Sequence, residues 1–315
     1  MELTHFNQID FETLRHEKID CLFSTAGTQN RCLFLAESMS ELVSRKILLI
    51  TGKEDHKKAN IYIQRFTNLG FEQHQTLNND CELIDKLLAE AGRSKNRQLN
   101  ILVDYSCMPK KWYALFIDCI TRNTYPAENI NLYLSYTPKV FEHNPARHAI
   151  DYFGPIIFNR DSLREKKPIS MIVSLDHNGN LLNEALKKIK PQKLLAFVPN
   201  CAHDPVYSHV VREHNRSLLE RLDVSNVINY ECDQPDEINS LLTSRCLDER
   251  VNSEVVIVPQ GPKTFSIMSM LVSVRYPDIK LWEIVMKDHI NSPNHGDVAA
   301  KPVIVKVSFI NDELD

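Results

Sequence analysis

The stretch Ile101-Leu102-Val103-Asp104-Tyr105-Ser106-Cys107-Met108-Pro109-Lys110, followed by Lys111-Trp112-Tyr113-Ala114-Leu115-Phe116-Ile117, decides the reading of this chain. A short apolar run ends in a polar turn, the turn carries a lysine, and an apolar helix opens directly after it. About 155 residues later the order recurs: Val255-Val256-Ile257-Val258, then Pro259-Gln260-Gly261-Pro262-Lys263, then Thr264-Phe265-Ser266-Ile267-Met268. A buried strand running through a turn into a helix N-terminus leaves unpaired backbone N–H groups pointing where the helix dipole favours negative charge. A lysine in each turn adds a mobile cation. The repetition predicts a duplicated α/β unit with two ligand-binding mouths.

The flanking segments extend the pattern. In the first half, strands are expected at 19–24, 46–51, 100–104 and 130–136, with helices at 31–42, 57–69, 80–91 and from Lys111. In the second half, strands are expected at 169–175, 193–199, 227–230, 255–258 and 278–285, with helices at 181–189, 207–222, 235–247 and 264–275. Continuous apolar strands alternating with helices are the pattern of a mostly parallel sheet covered on both faces. In each half the turn-bearing strand ends about 80 residues after the first strand, from 24 to 104 and from 175 to 258. The predicted fold is α/β with two tandem Rossmann-like units, at 1–140 and 168–315, joined by a connector at 141–167. The last apolar strand, 303–309, is assigned to the second unit.

Bulk composition narrows the function classes. Of 315 residues 43% are apolar and 25% charged, as in a globular protein, and the net charge of −4 gives no electrostatic case for bulk nucleic-acid binding. The first residues lack a basic and then apolar leader pattern, and no apolar run is long enough for a membrane span, so a cytoplasmic location and no membrane partner are expected. Eight cysteines without a C-x-x-C pair read as reduced, mostly buried thiols.

In open α/β sheets ligands bind outside the carboxyl ends of the strands. That rule selects Ser24, Thr25, Gly27 and Arg31 after the first strand, Gly52 and Lys53 after the second, and Asp104, Ser106 and Lys110 at the first turn. It selects Asp176 and Asn178, then Gln260, Gly261 and Lys263, in the second half. Hydroxyls, amides, glycines and lysines at strand ends suit a small anionic ligand such as a nucleotide, although turns and helix caps also collect these residues. Asp104 and Gln260 are expected at equivalent strand ends. A metal is not expected: Cys201, His203, Asp204, His209 and His214 do not converge at ligand spacing. The sequence carries no Walker A loop, G-x-G-x-x-G, G-x-S-x-G or H-E-x-x-H, so it marks no catalytic residue and no cofactor.

The segments from Asp104 to Lys110 and from Gln260 to Thr264 resemble the motif after the fourth strand in CRISPR-associated Rossmann-fold (CARF) sensors and related antiphage-defence proteins. That resemblance implies a pocket for a cyclic oligonucleotide or similar nucleotide, a role in prokaryotic antiviral defence, and a separate effector protein or complex as partner. An enzyme hydrolysing a nucleotide or phosphorylated small molecule, and a structural subunit, are the alternatives from other classes.

Overall fold

The computed structural model describes residues 1–51, 56–76, 79–93, 97–142, 150–156, 167–286 and 297–311. It is an α/β protein with two mostly parallel sheets flanked by helices. The chain divides into two units, residues 1–140 with 290–315, and residues 141–289.

The first unit begins with β1 (Glu2–Ile9) and α1 (Phe11–His16), then β2 (Cys21–Thr25), α2 (Phe34–Met39), β3 (Arg45–Thr51), α3 (His56–Asn68) and β4 (Glu72–Thr76). It continues through α4 (Asp80–Gly92), β5 (Gln98–Asp104), α5 (Lys110–Arg122) and β6 (Asn129–Tyr136). Strands β2 to β6 are parallel, in spatial order β6-β5-β2-β3-β4. The chain winds outward from β2 in both directions, so consecutive right-handed crossovers lay α2 and α3 on one face and α4 and α5 on the other. Leu22, Leu48 and Leu102 meet Leu35, Ala36, Met39 and Phe66 on the first face. On the second, Phe23 of β2 meets Phe116 of α5 edge to face at 4.8 Å. Burying each such aliphatic or aromatic side chain contributes roughly 1.5–3 kcal/mol.

The second unit contains β7 (Ile150–Pro155), β8 (Ile169–Ser174), α6 (Gly179–Ile189), β9 (Lys193–Asn200), α7 (Pro205–His214), α8 (Arg216–Leu219) and β10 (Val227–Glu231). Then follow α9 (Pro235–Arg250), β11 (Glu254–Pro259), α10 (Lys263–Arg275) and β12 (Lys280–Met286). Its parallel strands run β12-β11-β8-β9-β10, the same order as in the first sheet. Met171, Val173, Val256 and Val258 meet α6 on one face, and Phe197 meets Phe265 of α10 on the other at 5.2 Å.

The sheets differ from the expected tandem arrangement in two antiparallel strands. The final strand, β13 (Val303–Ile310), does not belong to the second unit. It lies antiparallel between β6 and β1 in the first sheet, with Ile304 opposite Ser135 and Val305 opposite Gln8. Its buried Val303, Ile304, Val305, Val307 and Phe309 fit an inner strand covered on both faces. The matching antiparallel place beside β12 is taken by β7, from the segment read as a connector. Each parallel core is thus finished by an antiparallel strand that the chain delivers from the other side of the second crossover series. The chain leaves the first sheet after β6 and returns to it after β12.

The first half also holds β1 and β4, which the sequence does not announce. β4 reads Glu-Gln-His-Gln-Thr and lies at a sheet edge, where one side needs no partner and polar residues are tolerated.

Candidate functional site

Residues singled out in the first half converge at the carboxyl ends of β2, β5 and β6. Phe23 pairs with Val103 and Asp104 with Ser135, so Ser24, Asp104 and Ser135 stand level on three adjacent strands. Side chains level across a parallel sheet share a face, and these three share the face of Leu22, Leu102 and Tyr133. The row is closed from solvent: Ser24 and Ser135 are 0% exposed and Asp104 is 2% exposed.

A chain of hydrogen bonds ties the row to the turn after β5. Ser106 donates to Asp104 Oδ1 from its backbone N–H at 3.0 Å and from its hydroxyl at 2.5 Å. Ser106 Oγ in turn accepts the Thr137 N–H at 2.8 Å. Arg31 reaches the same end of β6: its Nη1 donates to the Thr137 carbonyl at 3.1 Å, its Nε donates to Gln29 Oε1 at 2.8 Å, and its guanidinium lies over the Tyr136 ring at 5.6 Å. These two bonds occupy two of the five N–H donors of a guanidinium. On the face of the row the hydroxyls of Ser24 and Ser135 are buried without a hydrogen-bond partner, as are that of Thr137 beyond β6 and that of Thr25 on the opposite face of the sheet. An unsatisfied buried hydroxyl costs free energy, and two flanking one carboxylate call for a group that completes them.

The two turns touch. A Cβ placed on Gly27 would lie 2.9 Å from Cys107 Cβ and 3.0 Å from its Sγ. Glycine is required there because the β2 turn rests directly on the β5 turn. Lys110 is the first residue of α5, after the N-cap Pro109, and is half-buried. Burial pushes the Tyr105 phenol well above its ordinary value, helped by neighbouring Tyr113 and Tyr136 and by the negative charge of Asp104.

The second mouth is built differently. Phe197 is level with Ser174 and faces α10, as Phe23 and Thr25 face α5. Thr25 therefore corresponds to Ser174, and continuing both registers matches Ser24 to Val173, Asp104 to Val258 and Ser135 to Trp282. The polar row of the first sheet is apolar or aromatic in the second. This corrects the expectation for Gln260, which lies just beyond β11 and corresponds to Ser106 rather than to Asp104. Gln260 is half-buried with its Nε2 unpartnered. Gly261 is packed against β8, since a Cβ there would meet Ser174 Oγ at 2.1 Å and the Leu175 carbonyl at 2.8 Å. Lys263 is the first residue of α10 after Pro262, the counterpart of Lys110.

Asp176 serves its own surroundings. Its Oδ1 accepts the His177 N–H at 2.8 Å and the Tyr207 hydroxyl at 3.1 Å, and contacts His177 Nδ1 at 2.7 Å. Asn178 stands at the N-cap of α6 without making a side-chain cap bond. Asp204, considered among metal ligands, instead caps α7 through the Tyr207 N–H at 3.0 Å and accepts the Phe141 N–H at 2.6 Å. Cys201 is joined to Cys232 by a disulfide across the ends of β9 and β10, with Cα atoms 5.1 Å apart. That pair overturns the reading of all eight cysteines as reduced thiols; adjacent parallel strand ends bring two sulfurs together that are 31 residues apart in sequence. Gly52, Lys53 and the histidines at 143 and 148 lie outside the described residues.

Ser135 and Thr137 were not selected from sequence. The signal was present, since Ser135 closes the strand next to Asp104, and the strand-end rule applied to β6 would have found both.

No family model and no curated protein matches the chain. A solved structure of Haemonchus contortus phosphoethanolamine N-methyltransferase 1, in complex with phosphoethanolamine and S-adenosylhomocysteine, aligns over 95% of this chain and 89% of that chain. The identity is 8% and the TM-score 0.24, a level of likeness from which no ligand or reaction is inferred. Among the described residues no helix is long and apolar enough to cross a membrane.

Proposed function

We propose that this protein is a regulatory ligand-binding protein that senses a nucleotide or similar phosphorylated small molecule in its first unit and acts through a separate effector. The observation that carries the reading is the buried row Ser24–Asp104–Ser135, with unpartnered hydroxyls on either side of the carboxylate, at the end of a Rossmann-like sheet where ligands of this fold class bind. A ribose or base offers the donors and acceptors that the row lacks. The spare N–H groups of Arg31 and the ammonium of Lys110 suit a phosphate. Ser24 and Ser135 are closed from solvent, so entry requires the β2 and β5 turns to separate. The resemblance of the Asp104–Lys110 and Gln260–Thr264 segments to CARF sensors supports placing the role in prokaryotic antiviral defence, with a cyclic oligonucleotide as the first ligand to try.

The test is calorimetric titration of the full chain with mono-, di- and cyclic oligonucleotides. Binding that weakens in Ser24→Ala and Lys110→Ala supports the reading. Absence of heat across the panel moves the protein to the structural-subunit class.

A further inference from the structure

A groove of about 450 Å³ lies in the second unit at the amino ends of β9 and β10, the opposite end of that sheet from its mouth. Its floor is Leu186 of α6, Leu194 of β9 and Leu222 after α8, each half-buried and packed on the core of the unit. Its rim carries the exposed cations Lys190 and Arg221. Arg221 Nε donates to the Ser217 carbonyl at 2.7 Å, while its Nη groups and the Lys190 ammonium have no partner among the described residues. The other rim charges are engaged: Lys193 pairs with Glu249, and Asp223 Oδ1 accepts the Ser225 N–H at 2.9 Å and hydroxyl at 2.7 Å.

Lys190 holds its place against the preference of the backbone. It closes α6 at φ 51° and ψ 55°, the left-handed region, and among the described residues it is the non-glycine residue found there. Glycine fills such a helix end without steric cost. Pro191 follows directly, and a residue before proline is normally extended. A cation to complement the helix dipole is already supplied by Lys187 and Lys188 in the last turn. A lysine kept at a strained position beside an apolar floor points to a bound group. We infer that this groove docks an extended segment of a partner protein, with carboxylates meeting Lys190 and Arg221 and large apolar side chains filling the leucine floor. The net charge of the chain is −4, so this cationic rim is a local feature matched to an acidic segment. The exposed rim would leave a small molecule largely in water, whereas small-ligand sites enclose most of their ligand. An extended segment instead sends alternate side chains to opposite sides, one set into the floor. Identifying the partner with the effector rests on the regulatory reading above; binding in the groove does not.

The experiment titrates the full chain into a fluorescein-labelled peptide, acetyl-Leu-Asp-Leu-Glu-Leu-amide, and follows anisotropy. A copy with lysine in place of both acids and a copy with serine in place of the leucines are run beside it. The acidic, leucine-bearing peptide should bind, the two copies should not, and binding should weaken as salt rises. Arg221→Glu should bind about tenfold less tightly, as loss of a charge-assisted contact predicts. Lys187→Glu, outside the groove, should bind as the wild type does. Lys190→Gly relieves the left-handed backbone, so it should melt at a higher temperature and yet bind more weakly, a pairing that a merely structural lysine does not give. Absence of binding to the wild type, equal binding of the lysine peptide, or affinity unchanged in both Lys190→Gly and Arg221→Glu overturns the inference. Displacement of the peptide by an equal concentration of sodium octanoate also overturns it and assigns the groove to a small amphipathic anion. A protein that binds the peptide but no nucleotide would retain the groove and reject the sensor reading.

Discussion

Ser106 grips Asp104 twice, with its backbone N–H at 3.0 Å and its hydroxyl at 2.5 Å on the same carboxylate oxygen. Two donors on one acceptor, nearly out of water, make this carboxylate the knot that holds the β5 turn. Truncating Asp104→Ala leaves both Ser106 donors without their acceptor and should lower stability by about 1–3 kcal/mol. Asp104→Asn keeps an acceptor and should lose less. Thermal unfolding followed by circular dichroism compares the two, and equal loss would mean that the carboxylate does not hold the turn.

The glycines at the two mouths make an ordered pair. Gly261→Ala drives its methyl to 2.1 Å from Ser174 Oγ and 2.8 Å from the Leu175 carbonyl just beyond β8, whereas Gly27→Ala meets Cys107 less closely, Cβ at 2.9 Å and Sγ at 3.0 Å. Overpacking of this kind costs about 1–3 kcal/mol. Gly261→Ala should fall at the upper end and Gly27→Ala at the lower, with denaturant titration as the measurement. The reverse order would show that the β5 turn is the more rigid of the two.

Alkaline pH should unfold the protein through its tyrosines. Burial is the leading cause that raises the phenols of Tyr105, Tyr125, Tyr133 and Tyr230 above their ordinary 10.0, with Tyr133 pushed up to about 12. Above pH 10 the unfolded chain releases phenolic protons that the folded chain retains, so the folded state binds more protons and stability falls as pH rises. The loss begins near 10, and Tyr133 contributes its part up to about 12. Tyrosinate absorbance should rise together with loss of helical circular dichroism. Full titration of all tyrosines in a protein that keeps its ellipticity would contradict the burial argument.

Removing residues 297–315 should damage the first unit, although the deletion lies at the far end of the chain. Without β13, strands β1 and β6 lose the partner between them. Hydrogen exchange should show β1 unprotected and β6 losing protection at the amides that face β13, while β8, β9 and β11 keep theirs. Damage confined to the second unit would restore a simple tandem arrangement.

That strand also marks where sequence reading reaches its limit. The parallel cores were legible because β2, β3, β5, β8 and β11 are apolar runs bounded by turn residues, a local signal. The strand 303–309 was equally legible as a strand. Its partners were not, since pairing between Val305 and Leu134 depends on contacts that no local window contains. β4 was missed because an edge strand can be polar. β7 was missed because it sits in a polar stretch, even though its Phe153 packs on Trp282 at 5.3 Å. At the site, Ser24, Thr25, Gly27, Arg31, Asp104 and Ser106 could be found one strand end at a time. Which of the two mouths holds the continuous polar row could not, because it rests on the registers that set Ser135 beside Asp104 and Trp282 beside Val258.

The central claim is that the first mouth, and not its copy, receives the ligand. Calorimetric titration with the tightest nucleotide of the panel, run in parallel on the wild type, Ser24→Ala and Lys263→Ala, tests it directly. One site per chain is expected, with affinity reduced by about 1–3 kcal/mol in Ser24→Ala, where a hydrogen bond to the ligand is lost, and unchanged in Lys263→Ala. Binding lost in Lys263→Ala and untouched in Ser24→Ala would contradict the account and move the site to the second unit.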